Sequence, residues 1–122
     1  MVYSLPMKTY TGHCHCGAVT FEAEVDLEKP VISCNCSLCS MRGWMLTFIP
    51  ATQFKLLSGE DNLTEYRFGK EHIKHLFCST CGVQCFGRGE GPNGPTVALN
   101  ILTLEGVDQD SLTINKFNGK DL

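Results

Sequence analysis

The chain lacks three things that each mark a class of protein. No uninterrupted apolar segment approaches the ~20 residues needed to span a bilayer, so no membrane helix is expected. Blocks of lysine or arginine are missing too. Lys and Arg number 10 against 13 Asp and Glu, for a net charge of -3. A surface of that balance repels a polyanion, which argues against a nucleic-acid partner. The opening MVYSLPMKTY has no charged-then-apolar pattern of a secretory leader, so the cytoplasm is the expected compartment. Internal repeats and linker-like stretches are absent, and 122 residues suit one domain spanning 1–122.

Helical periodicity is also scarce. No ten-residue amphipathic helix stands out, and the chain reads instead as short strands. Val19, Phe21, Ala23 and Val25 alternate with Thr20, Glu22 and Glu24, a period of two with one wet face. Similar runs cover Val31 to Cys34, Met45 to Ile49, Phe54 to Leu57, Leu63 to Phe68, Ile73 to Phe77, Val83 to Phe86, Thr96 to Leu102 and Leu112 to Phe117. Turn signals such as Ser58-Gly59 and Gly69-Lys70 separate them. Pro50-Ala51-Thr52-Gln53 reads as a single helical turn. GRGEGPNGP, residues 87–95, is too rich in glycine and proline for a strand and is expected to be a surface loop, with a lid as the alternative. The expected fold is all-β, built of antiparallel hairpins.

Against these absences stand eight cysteines. In a reducing compartment such density points to metal rather than disulfides. The clusters are CHC (Cys14, Cys16), CNCSLC (Cys34, Cys36, Cys39) and CSTC (Cys78, Cys81), followed by Cys85. Tetrahedral zinc with Zn–S near ~2.3 Å wants sulfurs ~3.8 Å apart. The CSTCG turn delivers two at that spacing, with Gly82 taking a backbone conformation that a side chain resists. CHCG, with Gly17 in the matching place, is its natural complement. Cys14 and Cys16, two apart on a strand, share a face. One closed site from Cys14, Cys16, Cys78 and Cys81 is therefore expected, tying two distant hairpins together. The CNCSLC trio holds a second ion either closed by Cys85 or open at its fourth corner. Cys85 reads equally well as a small buried hydrophobe.

The order CHCGAVTFEAE, CNCSLC, FCSTCGVQCFGRG and ALNILTLEGVD resembles the glutathione-dependent formaldehyde-activating family, shared with centromere protein V, over about residues 11–117. The resemblance implies a β-tent, antiparallel sheets meeting around a structural zinc on Cys14, Cys16, Cys78 and Cys81. It also implies a catalytic zinc on Cys34, Cys36 and Cys39, whose exchangeable fourth ligand is the substrate thiol.

The activity so implied is a carbon–sulfur lyase-type reaction, the reversible addition of glutathione or a similar thiol to formaldehyde or another small aldehyde. Zinc, two per chain, is the expected cofactor. Arg42 and Arg88 are candidate anchors for the glutathione carboxylates, set against ordinary solvated arginines. Trp44 is a candidate pocket wall or a core residue. Asn100, among apolar neighbours, either orients substrate or satisfies backbone. His13 and His15 are expected to point away from Cys14, and His72 and His75 to be partly exposed, so no histidine is assigned a catalytic role. The alternative to an enzyme is a zinc-binding interaction module with two closed sites, which would ignore glutathione.

Overall fold

The computed structural model describes residues 7–27, 29–34, 41, 44–66, 74–92, 94–108, 110 and 112–117. These residues are all-β apart from a few short turns of helix. A three-stranded sheet holds β1 (Met7–His13), β2 (Thr20–Asp26) and β5 (Phe54–Ser58), in the order β1-β2-β5. The larger sheet holds β3 (Val31–Cys34), β4 (Leu46–Pro50), β6 (Leu63–Tyr66), β7 (Lys74–Cys78), β8 (Phe86–Gly91), β9 (Gly94–Asn100) and β10 (Ile114–Phe117). Its order is β10-β3-β4-β9-β8-β7-β6. Every pairing is antiparallel except β10 on β3, which runs parallel with Ile114 opposite Val31. No helix among the described residues is long and apolar enough to cross a membrane.

Period-two burial builds the core. In β2, Phe21, Ala23 and Val25 are buried while Glu24 faces solvent. In the larger sheet Ile49, Val97, Leu99 and Phe86 turn toward the smaller one. Phe54 of β5 joins the two sheets: its ring lies 5.3 Å from Phe21 and 4.6 Å from Phe86. The opposite face of the larger sheet carries a second apolar cluster, Trp44, Leu46 and Ala98 with Ile32 packed against it.

Residues 87–95, expected as a loop, are mostly strand. β8 and β9 pair without interruption from Phe86↔Leu99 to Gly91↔Gly94. The register explains why such a sequence is tolerated. Pro95 lies one residue beyond Thr96↔Pro50, the last β4–β9 pair, so no ladder bond from β4 requires its missing N–H. The expected strand over Val83 to Phe86 starts only at Phe86, and the one over Thr96 to Leu102 stops at Asn100. There the Asn100 carboxamide oxygen accepts from the Leu102 N–H at 3.2 Å and caps a 3-10 turn over Ile101–Thr103.

Candidate metal centre

Two turns of similar construction supply four sulfurs. After β1 the chain folds over itself: the Cys14 N–H donates to the Val19 carbonyl at 3.1 Å, and the Gly17 N–H to the Cys14 carbonyl at 3.1 Å. After β7 the Cys78 N–H donates to the Val83 carbonyl at 3.0 Å, and the Gly82 N–H to the Cys78 carbonyl at 2.8 Å. Gly17 and Gly82 both sit in the left-handed region, at φ +82° and +80°. Cys14 and Cys16 thus meet through a tight turn rather than by sharing a strand face, since β1 ends at His13.

The Cys14 and Cys16 Sγ atoms are 3.6 Å apart, as are those of Cys16 and Cys78. All four sulfurs, Cys81 included, lie within 4.8 Å of one another. These separations match the ~3.8 Å edge of a tetrahedral zinc–thiolate site. The donor set fits the ion chemically as well, because thiolates are soft ligands. The four cysteines can therefore hold one metal ion.

The surroundings favour negative sulfur. The Cys78 Sγ accepts from the N–H groups of Thr80 and Cys81, each at 3.4 Å, and from the Asn62 carboxamide at 3.4 Å. The Cys81 N–H, with help from that of Thr80, holds the Cys78 thiol below its ordinary range despite burial. Burial pushes the Cys81 thiol up, but bonds to the Val83 and Cys16 backbone and the neighbouring thiols outweigh it, bringing it to about 6. The Ala18 N–H pulls Cys16 down, yet burial and the sulfurs of Cys78, Cys14 and Cys81 leave it raised to about 11. In a cluster this crowded the shifts belong to the group, one member's lowered pKa accompanying another's raised one.

Cys85 is fully buried in the same core cluster as Cys14 and Cys78. Burial first, then the charge of Cys14, pushes its thiol up to about 12. Cys34 is described only as the last residue of β3, and Cys36, Cys39, Arg42 and His72 lie outside the described residues. The Arg88 guanidinium lies 5.5 Å from the Phe54 ring and 5.2 Å from the Phe86 ring, a cation–π arrangement at the edge of the core. It also borders a cleft of about 400 Å³ with Phe48, Thr96 and Ala98.

Asn100 turns out to serve the backbone, its Nδ2 donating to the Gln84 carbonyl at 2.9 Å. Trp44 is buried. His75, expected to be partly exposed, is buried as well and lies 3.4 Å from the Gln84 carboxamide. Its position on β7, opposite Gly87, turns it toward the second apolar cluster. A period-two reading of KHLFC could have placed His75 and Phe77 together on that face. Nothing local marks Gln84.

A family model described as glutathione-dependent formaldehyde-activating enzyme matches residues 9–117. Among solved structures, the crystal structure of a Rhodobacter sphaeroides protein superposes with a TM-score of 0.77 at 32% identity, covering 88% of this chain and 99% of that one. Matching turns, a four-sulfur cluster and a family match over nearly all of the chain converge: it belongs to the glutathione-dependent formaldehyde-activating enzyme family.

Proposed function

We propose that this chain is a zinc-dependent carbon–sulfur lyase-type enzyme that adds glutathione, or a similar thiol, reversibly to formaldehyde or another small aldehyde. The observation that carries the reading is how the cysteines divide. Four gather in one cluster and a fifth, Cys85, is sealed in the core beside them. Cys85 is read as a small core hydrophobe, which leaves Cys34, Cys36 and Cys39 for a second ion. Three protein thiolates leave a fourth corner for an exchangeable ligand, the pattern of catalytic rather than structural zinc.

In this reading Cys14, Cys16, Cys78 and Cys81 hold the structural zinc, and Cys34, Cys36 and Cys39 the catalytic one. The catalytic zinc supplies one thing, a lowered pKa for an incoming thiol. The chain's own residues do the rest: they orient that thiol, keep the aldehyde beside it and limit access of water. The proposed location is the cytoplasm, where glutathione is abundant.

Metal analysis of the purified protein should find two zinc ions per chain. Glutathione added to the cobalt-substituted protein should shift and saturate the visible bands. Unchanged bands from a chain holding two cobalt ions would replace the enzyme with a module of two closed sites.

A further inference from the structure

The second apolar cluster contains three polar side chains. Trp44, His75 and Gln84 arrive from separate stretches of chain, and only 4%, 5% and 5% of their surfaces are exposed. The Gln84 Nε2 lies 3.4 Å from the His75 Nδ1, and the His75 and Trp44 ring centroids are 6.2 Å apart. The Asn100 bond to its carbonyl pins the Gln84 backbone. Yet the Trp44 Nε1–H has no partner, and neither has the Gln84 Oε1. The amide as placed keeps Nε2 toward the His75 Nδ1 and leaves the acceptor Oε1 free; turned over, it would leave Nε2 unbonded instead. Interiors rarely leave such groups unpaired. Here a donor and an acceptor are left over in one small neighbourhood.

Its place in the fold is informative. Ile32 pairs with Leu46, so the chain that leaves β3 after Cys34 returns at Trp44, two residues before Leu46. The segment carrying CNCSLC therefore ends at this cluster.

We propose that Trp44 and Gln84 bind the oxygen of the aldehyde, with His75 as a positioning residue that holds the Gln84 amide. The proposal rests on the thiol–aldehyde reading above. In the forward step the glutathione thiolate forms the new C–S bond with its lone pair. The carbonyl π pair moves to oxygen, and that oxygen takes a proton from solvent, equivalent to the one the thiol released. The carbonyl oxygen accepts from the indole N–H. The hydroxyl it becomes still accepts from Trp44 and now donates to the Gln84 Oε1. Both unpaired atoms are satisfied by the adduct and only one by the aldehyde, so these side chains favour addition. Leu46 and Ala98, with Ile32 against them, give the Trp44 side an apolar surface that suits a small aldehyde.

The test uses two variants of the full, metal-loaded chain. Trp44→Phe keeps a ring and removes the N–H, and Gln84→Met keeps length and removes the amide. Glutathione titration of the cobalt forms should stay within about twofold of wild type, while kcat/KM for formaldehyde falls about tenfold in each variant: Trp44→Phe loses the donor to the oxygen as it gains charge, and Gln84→Met the acceptor that favours arrival of its proton. Both variants should unfold cooperatively with melting temperatures within a few degrees of wild type, which shows that they fold. Wild-type formaldehyde kinetics in both variants, with glutathione binding intact, would overturn the proposal alone. Loss of glutathione binding in the variants would also overturn it, by assigning the pocket to the thiol. Absence of glutathione binding in the wild type would instead remove the functional reading, and this proposal with it.

Discussion

Gly82 and Gly59 both have positive φ, at +80° and +92°, but for different physical situations. A Cβ on Gly82 would meet nothing within 4 Å, so alanine there suffers only the left-handed backbone. A Cβ on Gly59 would stand 2.4 Å from the Ala18 carbonyl oxygen, and backbone does not yield easily. Gly59 also anchors the turn whose last residue, Asn62, donates to the Cys78 Sγ. Gly82→Ala should cost about 1 kcal/mol in denaturant unfolding of the zinc-loaded protein. Gly59→Ala should cost about 3 kcal/mol, the same strain plus an overpacked contact. The cysteine turns were legible because CxCG and CxxCG place the glycine where the chain must reverse. Gly59 was legible only as a turn signal; its closeness to Ala18 joins residues far apart in sequence.

Among the strands, β5 bears weight out of proportion to its length. Phe54 is the one aromatic of the smaller sheet's edge strand, and it packs on Phe21 within that sheet and Phe86 across from it. It also lies under the Arg88 guanidinium. Truncation would open a cavity that two sheets cannot jointly collapse, so Phe54→Ala should destabilise by about 3–5 kcal/mol in chemical denaturation. Phe54→Leu should cost much less. Alternation in the sequence located β2 and β5, since a sheet with one wet face has to alternate. It misjudged residues 87–95, because local composition does not reveal that a hairpin's strands continue in register past their neighbours. Nor did it reveal the parallel lie of β10 on β3.

At the scale of the whole molecule, the four-cysteine cluster lies where the two sheets meet, and an ion held there would tie them together. Cys14 and Cys16 follow β1 of the smaller sheet, and Cys78 and Cys81 belong to the end of β7 in the larger. Nearby, the Gly12↔Leu104 bridge and the Glu105 N–H bond to the Thr11 carbonyl at 2.9 Å are backbone links at the same seam. Chelation would remove the ion that links the two cysteine turns. The metal-free protein should melt about 10 °C or more below the loaded one, and hydrogen exchange should quicken first in the two cysteine turns and β1–β2. Equal protection with and without metal would mean that the core, not the ion, joins the sheets.

The amino-acid sequence by itself determined the gathering of Cys14, Cys16, Cys78 and Cys81 and the fold class. Thiol chemistry, glycine placement and side-chain alternation are local properties, and they act over spans of two to five residues. Only the tertiary structure decided the rest. It sealed Cys85 in the core beside Cys14 and Cys78. It turned His75 inward, and it brought Trp44, His75 and Gln84 to one buried spot with two hydrogen-bonding atoms unpaired. Burial and pairing of this kind depend on which strands lie side by side, a long-range matter that no short window of residues encodes.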